Sequence, residues 1–333
     1  MKKIILTSFL ILVAFGSGFL AGKYMNSKVA TKRYKSEYAM STTYHYKYTN
    51  PLLACLDSSQ LIMDELVIFK PKILSYINNI TSKHPDIHIS YYFRDLNNGL
   101  WIGINEKEMF SPASLMKVPI MITVLKEAQQ NKDLLATKIQ YIKENFKEID
   151  EESGFEKTDK QYYTVEEYIR QMIAYSDNAA ALILMHYMGI DKIVKTEKEL
   201  NLSINEDAGI NTNFVAVNRY AAVFRILYNA GYLNKDMSEK ALQILSESVY
   251  KNGIRSAVPA QYAIAHKYGE RDVFDQKGNR NVLQLHHFGI VYYTGKPFLI
   301  GIMTRGADRE TKEKIIYDLA KITFQEVQKQ MKK

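Results

Sequence analysis

The chain has 333 residues, of which 47% are hydrophobic and 24% charged, and its formal net charge is +8. This composition is that of an ordinary globular protein with one large core or two smaller ones, and it excludes an intrinsically disordered chain. The single cysteine, Cys55, excludes an internal disulfide and any multi-cysteine metal site. The charge is concentrated in residues 1–50, and the nearly neutral remainder argues against nucleic acid as a partner.

An uncharged, apolar-rich run follows Lys2 and Lys3 and extends over residues 4–20. This length is at the short end of what spans a bilayer, so a membrane anchor and a cleaved signal peptide both fit. We favour the anchor, because no clear small-x-small cleavage pattern follows the run. The sequence thus predicts an anchor or signal segment at 1–25, a basic tyrosine-rich linker at 26–57 and a folded domain at 58–333.

The folded domain opens with a helical pattern over residues 61–77, with an expected break or kink at Pro71. Residues 87–93 then alternate in polarity and are rich in β-branched and aromatic side chains. The turn sequence Asn97-Asn98-Gly99 leads to a second strand at 100–104, so the pattern predicts a β-hairpin.

The next stretch pairs a serine with a lysine. Ser111 followed by Pro112 is typical of an N-cap and the first position of a helix. Ser114 would lie in the first turn, near unpaired backbone N–H groups, and Lys117 would project from the same face. A lysine can deprotonate a serine hydroxyl only if its own pKa is lowered. Alone, this spacing also fits a solvated helix face.

Residues 118–245 are mostly helical in pattern and would form a second lobe. Thr164 and Glu167 make a capping box at the start of one helix, which ends near Ser176-Asp177-Asn178. By itself that triplet fits an ordinary helix-to-helix turn.

Strand patterns return at residues 263–268, 283–293 and 298–304, and a terminal amphipathic helix is predicted over 308–331. His286-His287 invites a metal interpretation, but adjacent residues on a strand point to opposite faces. We therefore interpret both histidines as structural.

Three short motifs follow one another in a fixed order. They are Ser114-x-x-Lys117, Ser176-Asp177-Asn178 and Lys267-Tyr268-Gly269. This order resembles the penicillin-recognising serine hydrolases, namely class A β-lactamases and the related D,D-peptidases, over about residues 60–330. The resemblance implies an α/β fold of the α+β type, with an antiparallel sheet flanked by helices and an inserted all-helical lobe. It also implies catalysis without a metal or organic cofactor, and we expect a monomer.

The resemblance assigns roles to the motif residues. Ser114 would attack an amide, Lys117 would take its proton, and Ser176 with Lys267 would relay a proton to the leaving nitrogen. Asn178 would hold both Lys117 and the amide of the substrate side chain.

The third motif would form the substrate-binding edge, with Tyr268, Gly269 and Glu270. The backbone N–H of Glu270 would stabilise the oxyanion beside that of Ser114. The family usually has threonine or serine after its lysine, and its hydroxyl contacts the substrate carboxylate. Tyr268 departs from this pattern and leaves substrate orientation open.

Deacylation in class A β-lactamases uses a glutamate within a Glu-x-x-Leu-Asn pattern. Residues 197–201 match that pattern, so Glu197 is a candidate base. Its position soon after Asn178, inside an expected helix at 190–200, also fits an ordinary helical glutamate. Glu206 is a weaker substitute.

These observations predict an acyl-enzyme hydrolase acting on a β-lactam or on a peptidoglycan stem peptide ending in D-alanine. The alternative is a catalytically silent scaffold that binds wall peptide, with Tyr268 filling the cleft. We expect a single-pass membrane protein with an extracytoplasmic catalytic domain, or a secreted one after signal cleavage. The basic linker opposes that orientation under the positive-inside rule.

Overall fold

The computed structural model describes residues 64–146, 155–202, 214–274 and 280–331. The predicted anchor and linker, Cys55 and Glu206 lie outside these residues. Among the described helices, none combines the length and apolar character that a membrane crossing needs.

The described elements follow the chain in a fixed order. They are α1 (Asp64–Lys83), β1 (His88–Asp95), β2 (Trp101–Ile104), β3 (Met109–Phe110), a 3₁₀ turn (Ala113–Met116), α2 (Lys117–Ala128), a 3₁₀ turn (Leu134–Ala136), β4 (Lys138–Gln140), a 3₁₀ turn (Lys143–Phe146), β5 (Tyr162–Thr164), α3 (Val165–Ala174), α4 (Asn178–Met188), α5 (Ile190–Glu199), β6 (Val215–Ala216), α6 (Val217–Tyr228), α7 (Lys235–Ser246), α8 (Ile254–Ala257), β7 (Ile264–Phe274), β8 (Arg280–Val291), β9 (Phe298–Arg305) and α9 (Arg309–Met331).

A five-stranded sheet with the strand order β2-β1-β9-β8-β7 carries the fold, and each neighbouring pair is antiparallel. The predicted hairpin is confirmed as β1 and β2. Gly99 has a φ of 76°, a conformation that glycine adopts at little cost. Because β7 is the last of the described strands in this sheet, one of its edges forms no strand pairing there.

One face of the sheet is covered by α1 and α9, whose apolar residues pack together with those of the strands. Of the break or kink expected at Pro71, the break is wrong, since α1 continues through this proline. Buried Phe69 and Ile73 flank it, and Lys72 forms an ion pair with Glu326 of α9 at 2.7 Å. Packing of α1 against the sheet and α9 thus stabilises a helix that its internal proline disfavours.

The other face of the sheet packs against the second lobe, which holds helices α2 to α7. Residues 117–125 at the start of α2 are all buried, as expected for a central helix. The predicted capping box of Thr164 and Glu167 is confirmed at the start of α3. The lobe is not purely helical, because β4 and β5 pair as a short antiparallel ribbon.

Candidate active site

Ser114 lies in the 3₁₀ turn Ala113–Met116, directly before α2, and we call this segment the Ser114 turn. The sequence placed Ser114 in the first turn of an α-helix capped by Ser111. In the structure the α-helix begins only at Lys117, and the Ser111 hydroxyl makes no capping bond. Ala113 has a φ of 51°, a strained conformation for a residue with a side chain.

The Ser114 turn is fixed from two sides by residues distant in sequence. On the sheet side, His286 Nε2 lies 2.8 Å from the carbonyl oxygen of Ser111, whose N–H donates to Gln284 Oε1 at 3.0 Å. On the lobe side, the Tyr220 hydroxyl donates to the carbonyl oxygen of Leu115 at 2.6 Å. A strained turn persists only where its surroundings over-determine it, as these contacts do here.

Lys117 reaches the Ser176-Asp177-Asn178 motif across the cleft. Its amine donates to the backbone carbonyl of Ser176 and to Asn178 Oδ1 at 2.6 Å, and it lies 3.3 Å from Ser176 Oγ. Burial lowers the pKa of Lys117 to about 8, while the nearby Asp177 carboxylate acts in the opposite direction. The lysine is therefore neutral in a sizeable fraction of molecules near physiological pH, as a general base must be.

The Ser176-Asp177-Asn178 loop joins α3 to α4 in a strained but well-anchored conformation. Ser176 has a φ of 59°, and Asp177 caps α4 by accepting the N–H of Ala180 at 2.6 Å. The other oxygen of Asp177 pairs with Lys157, and both side chains are at most 5% exposed. Removing either member of a buried pair leaves an uncompensated charge, so Lys157 holds the loop in place.

Lys267 points into the same cluster from β7 and is fully buried. Its amine donates to Ser176 Oγ at 2.8 Å and to the carbonyl oxygen of Tyr268 at 2.9 Å. Burial, followed by the charge of Lys117, holds the pKa of Lys267 well below its usual value. Two lysine amines thus converge on the hydroxyl of one serine.

Gly269 lets β7 lie directly against the Ser114 turn. A Cβ atom at this position would lie 2.8 Å from the carbonyl oxygen of Pro112 and 3.0 Å from Leu115 Cγ. Both separations are shorter than ordinary van der Waals contact, and the first involves backbone that cannot move aside. The glycine of the third motif is therefore required by this close approach rather than by its dihedral angles.

Tyr268 and Glu270 direct their side chains away from the Ser114 turn. The ring of Tyr268 stacks on Tyr250, with 3.9 Å between ring centroids. The carboxylate of Glu270 accepts from Arg309 Nε at 2.7 Å on the α9 side of the sheet. The predicted role of the Glu270 backbone N–H in the oxyanion site stays a prediction.

Glu197 lies near the end of α5 and is 9% exposed. Burial raises the pKa of its carboxyl to about 7. Among the described residues, no hydrogen bond or ion pair joins Glu197 to Ser114, Lys117 or Lys267. The structure thus brings the lysines of the predicted site together at Ser176, and the role of Glu197 in deacylation stays a prediction.

The two adjacent histidines point to opposite faces of β8, as the strand period requires. His286 contacts the Ser114 turn, while His287 Nε2 lies 3.0 Å from Nδ1 of His266. Burial lowers the pKa of His266 to about 3 and that of His286 to about 4, so both rings are neutral. Within the described residues, no cluster of three potential metal ligands is found.

Several residues that support the site from a distance carry no signal in the sequence. Each of these residues is separated in sequence from the motif that it contacts. They are Lys157, Tyr220, Gln284 and Tyr250. The pairing of Lys157 with Asp177 spans twenty residues, and that of Tyr220 with Leu115 spans 105. No local pattern signals such contacts, because each residue type is also common on ordinary helices and loops.

Comparison with known proteins identifies the family of the chain. Residues 72–327 match the sequence profile of the β-lactamase enzyme family. The carbapenem-hydrolysing β-lactamase KPC of Klebsiella oxytoca is 25% identical over 255 residues, which cover 71% of this chain and 83% of KPC.

Solved structures share the fold at lower sequence identity. PBP-A superposes with a TM-score of 0.64 at 18% identity, over 78% of this chain and 96% of PBP-A. The class A β-lactamase of Mycobacterium abscessus gives a TM-score of 0.64 at 19% identity, over 77% of this chain and 98% of its own. The profile match extends over most of the chain, and the chain therefore belongs to the β-lactamase enzyme family.

Proposed function

We propose that this protein is a serine hydrolase that opens the amide of a β-lactam or a D-alanyl wall peptide through an acyl-enzyme at Ser114. The observation that carries the proposal is the convergence of two buried lysine amines on the Ser176 hydroxyl, at 3.3 Å for Lys117 and 2.8 Å for Lys267. A buried amine without a carboxylate partner is costly for a scaffold, whereas it is useful to an enzyme that needs a base at neutral pH.

The first half of the proposed reaction would use these contacts, with Ser114 as the nucleophile that the motif order assigns. Neutral Lys117 takes the proton of Ser114, whose oxygen attacks the carbonyl carbon of the amide. The proton passes from Lys117 to Ser176, and the Ser176 hydroxyl protonates the amide nitrogen as the carbon–nitrogen bond breaks. Lys267 donates a hydrogen bond to Ser176 Oγ and keeps this hydroxyl oriented throughout. Attack of water on the resulting ester would release the acid and restore Ser114.

Oxyanion stabilisation would come from backbone N–H groups at the junction of the Ser114 turn and β7. The contact at Gly269 brings the open edge of β7 against the turn. Fixed donors of this kind act without reorganisation during the reaction, and loss of one typically costs about a hundred- to a thousand-fold in rate. An acyl-enzyme complex with penicillin G has been solved for a mutant of PBP-A, whose fold this chain shares.

A covalent adduct on Ser114 is the direct test of this proposal. Intact-mass spectrometry of the protein mixed with penicillin G should show a mass increase equal to the intact drug, since ring opening loses no atoms. Ser114→Ala should abolish the adduct. Ser111→Ala is the matched control, because it removes a neighbouring buried hydroxyl that has no hydrogen-bond partner, and the adduct should persist.

The time course of the adduct separates the possible outcomes. An adduct that persists for hours would indicate a penicillin-binding peptidase, and one that decays while the drug is consumed would indicate a β-lactamase. Absence of any adduct, with D-alanyl peptides also left intact, would contradict the proposal and favour the scaffold that binds without reaction.

The rate of acylation should depend on pH through Lys117. Because its pKa is lowered to about 8 and only the neutral amine can accept a proton, the rate should rise with pH and level off above about 8. Stopped-flow acylation by a chromogenic cephalosporin between pH 5 and 9 measures this profile. Lys117→Met should lower the plateau by about a hundred- to ten-thousand-fold.

Lys126→Met serves as the control for Lys117→Met, because Lys126 lies on the same helix and donates to the carbonyl oxygen of Tyr232. Its profile should match that of the wild type. A wild-type rate that is flat across the whole pH range would show that Lys117 is not the base.

Glu197 can be tested for a role in deacylation. We expect Glu197→Gln to leave the decay of the adduct unchanged, because no hydrogen bond or ion pair among the described residues joins the carboxyl to the cluster at Ser176. The variant should also raise the melting temperature at pH 8. The folded-state pKa of about 7 favours the protonated form, so the contribution of Glu197 to stability is full below the unfolded pKa and is lost as pH rises through 7.

The same Glu197→Gln variant at pH 4 should show no gain in melting temperature, since the carboxyl is then protonated in both states. An adduct that decays in the wild type but is trapped in Glu197→Gln would instead identify Glu197 as the deacylating base.

We also propose that the enzyme is monomeric and lies outside the cytoplasm, attached to the membrane by its N-terminal segment. The support is the uncharged run at residues 4–20 and the wall-directed chemistry proposed above.

A further inference from the structure

A connected set of polar contacts lies behind the cleft, on the α9 side of β7. Arg309 Nε donates to Glu270 Oε1 at 2.7 Å, and Arg309 Nη1 lies 3.1 Å from Glu313 Oε1. The Tyr250 hydroxyl donates to the same oxygen of Glu313 at 3.0 Å. Two residues of α9 thus connect β7 to the segment that follows α7.

An aromatic pair completes the connection between Tyr250 and β7. Tyr250 stacks on Tyr268 with ring centroids 3.9 Å apart and an interplanar angle of 16°. The amine of Lys267 lies 4.6 Å from the centroid of the Tyr268 ring. We call Tyr250, Tyr268, Glu270, Arg309 and Glu313 the Tyr250 network.

The Tyr250 network lies on the α9 side of the segment of β7 that carries Lys267 and Gly269. Tyr268 and Glu270 alternate with Lys267 and Gly269 along the strand, so the network holds one face while the other faces the Ser114 turn. Among the described strands β7 pairs with β8 alone, so packing rather than a second strand holds its other edge in position.

We propose that Tyr250 is a positioning residue, which holds the ring of Tyr268 against Lys267 and thereby fixes the Lys267 amine toward Ser176. This inference rests on the proposed acyl-enzyme function. Tyr268 stands where relatives have a hydroxyl for the substrate carboxylate, and its contacts with Tyr250 and the Lys267 amine give it a different role. The ring orients the Lys267 amine.

The contacts also indicate whether the ring or the hydroxyl of Tyr250 contributes more to the position of Lys267. Stacked rings and amine–ring contacts each contribute modestly when partly buried. Burial, followed by the charge of Glu313 and its hydrogen bond, raises the pKa of Tyr250 far above its usual value, so the phenol remains a donor. The stack should therefore matter more to Lys267 than the hydroxyl, whose bond acts on Tyr250 itself.

Three variants of the full chain separate these contributions. Tyr250→Leu removes the stack and the hydroxyl, whereas Tyr250→Phe keeps the stack. Lys314→Gln is the matched control, because Lys314 pairs with Asp318 on the exposed side of α9, outside the Tyr250 network. The maximal acylation rate and the half-saturating concentration would be measured with a chromogenic cephalosporin across pH, with melting temperatures alongside.

Tyr250→Leu should lower the maximal acylation rate by about 3- to 30-fold, the range expected for loss of an aromatic–amine contact. It should also move the midpoint of the pH profile and leave the half-saturating concentration within about twofold. Tyr250→Phe should retain most of the rate, and Lys314→Gln should match the wild type. Equal rates and equal pH midpoints in Tyr250→Leu and the wild type would overturn the inference, even if the melting temperature falls.

A second readout does not depend on acylation. In NMR spectra of lysine-labelled protein, the side-chain protons of Lys267 should carry a ring-current shift from Tyr268, and Tyr250→Leu should reduce it. An unchanged Lys267 signal in that variant would overturn the inference whether or not the protein reacts with β-lactams. Absence of acylation in the wild type, with the Lys267 signal shifted as expected in Tyr250→Leu, would contradict the proposed function alone and support the positioning role.

Discussion

The burial of two lysine amines beside one serine hydroxyl is the constraint on which the rest of this structure depends. Lys117 is 6% exposed and Lys267 is fully buried, and both donate to Ser176 or its backbone. Two buried cations this close cannot both keep their protons at neutral pH without a large cost. Burial of these amines is unfavourable for folding, and it lowers the pKa of Lys117 so that its amine can act as a base near pH 8.

Several strained or tightly packed features hold the two lysines in place. The Ser114 turn and the Ser176 loop each contain a residue with positive φ, at Ala113 and Ser176. Neither conformation would persist without the long-range bonds from β8 and α6 and the buried pair of Lys157 with Asp177. Gly269 then lets the sheet touch the turn, so that an amine from each lobe meets at the same hydroxyl.

Much of the fold could be predicted from the sequence, because its signals are local. The hairpin around Gly99, the capping box at Thr164 and the C-terminal strands all follow from short patterns, and the structure contains them. The continuous helix through Pro71 and the 3₁₀ geometry at Ser114 could not be predicted. Both depend on packing against elements more than a hundred residues away, which local propensity does not encode.

The candidate site also has a part that the sequence predicts and a part that depends on the fold. The ordered motifs identified Ser114, Lys117, Ser176 and Lys267, and hydrogen bonds in the structure join the last three of these. They could not indicate that Tyr268 turns toward Tyr250, because that contact depends on the path of the chain after α7. They also matched Glu197 to a Glu-x-x-Leu-Asn pattern, and the structure places this residue on a helix, where the described residues show no hydrogen bond or ion pair between it and the lysines. A motif specifies residue types and spacing, and the surrounding fold decides which side chains meet.

The most direct test of this account is the pKa of Lys117 itself, measured by ¹⁵N NMR titration of the lysine amines in the intact protein. Lys117→Arg assigns the signal, and Lys126 on the same helix provides a reference amine. Because the amine is buried, we expect a Lys117 midpoint near 8, well below that of an exposed lysine. A midpoint near 10.5 would mean that Lys117 is charged at neutral pH, and it would contradict the claim that burial supplies the base.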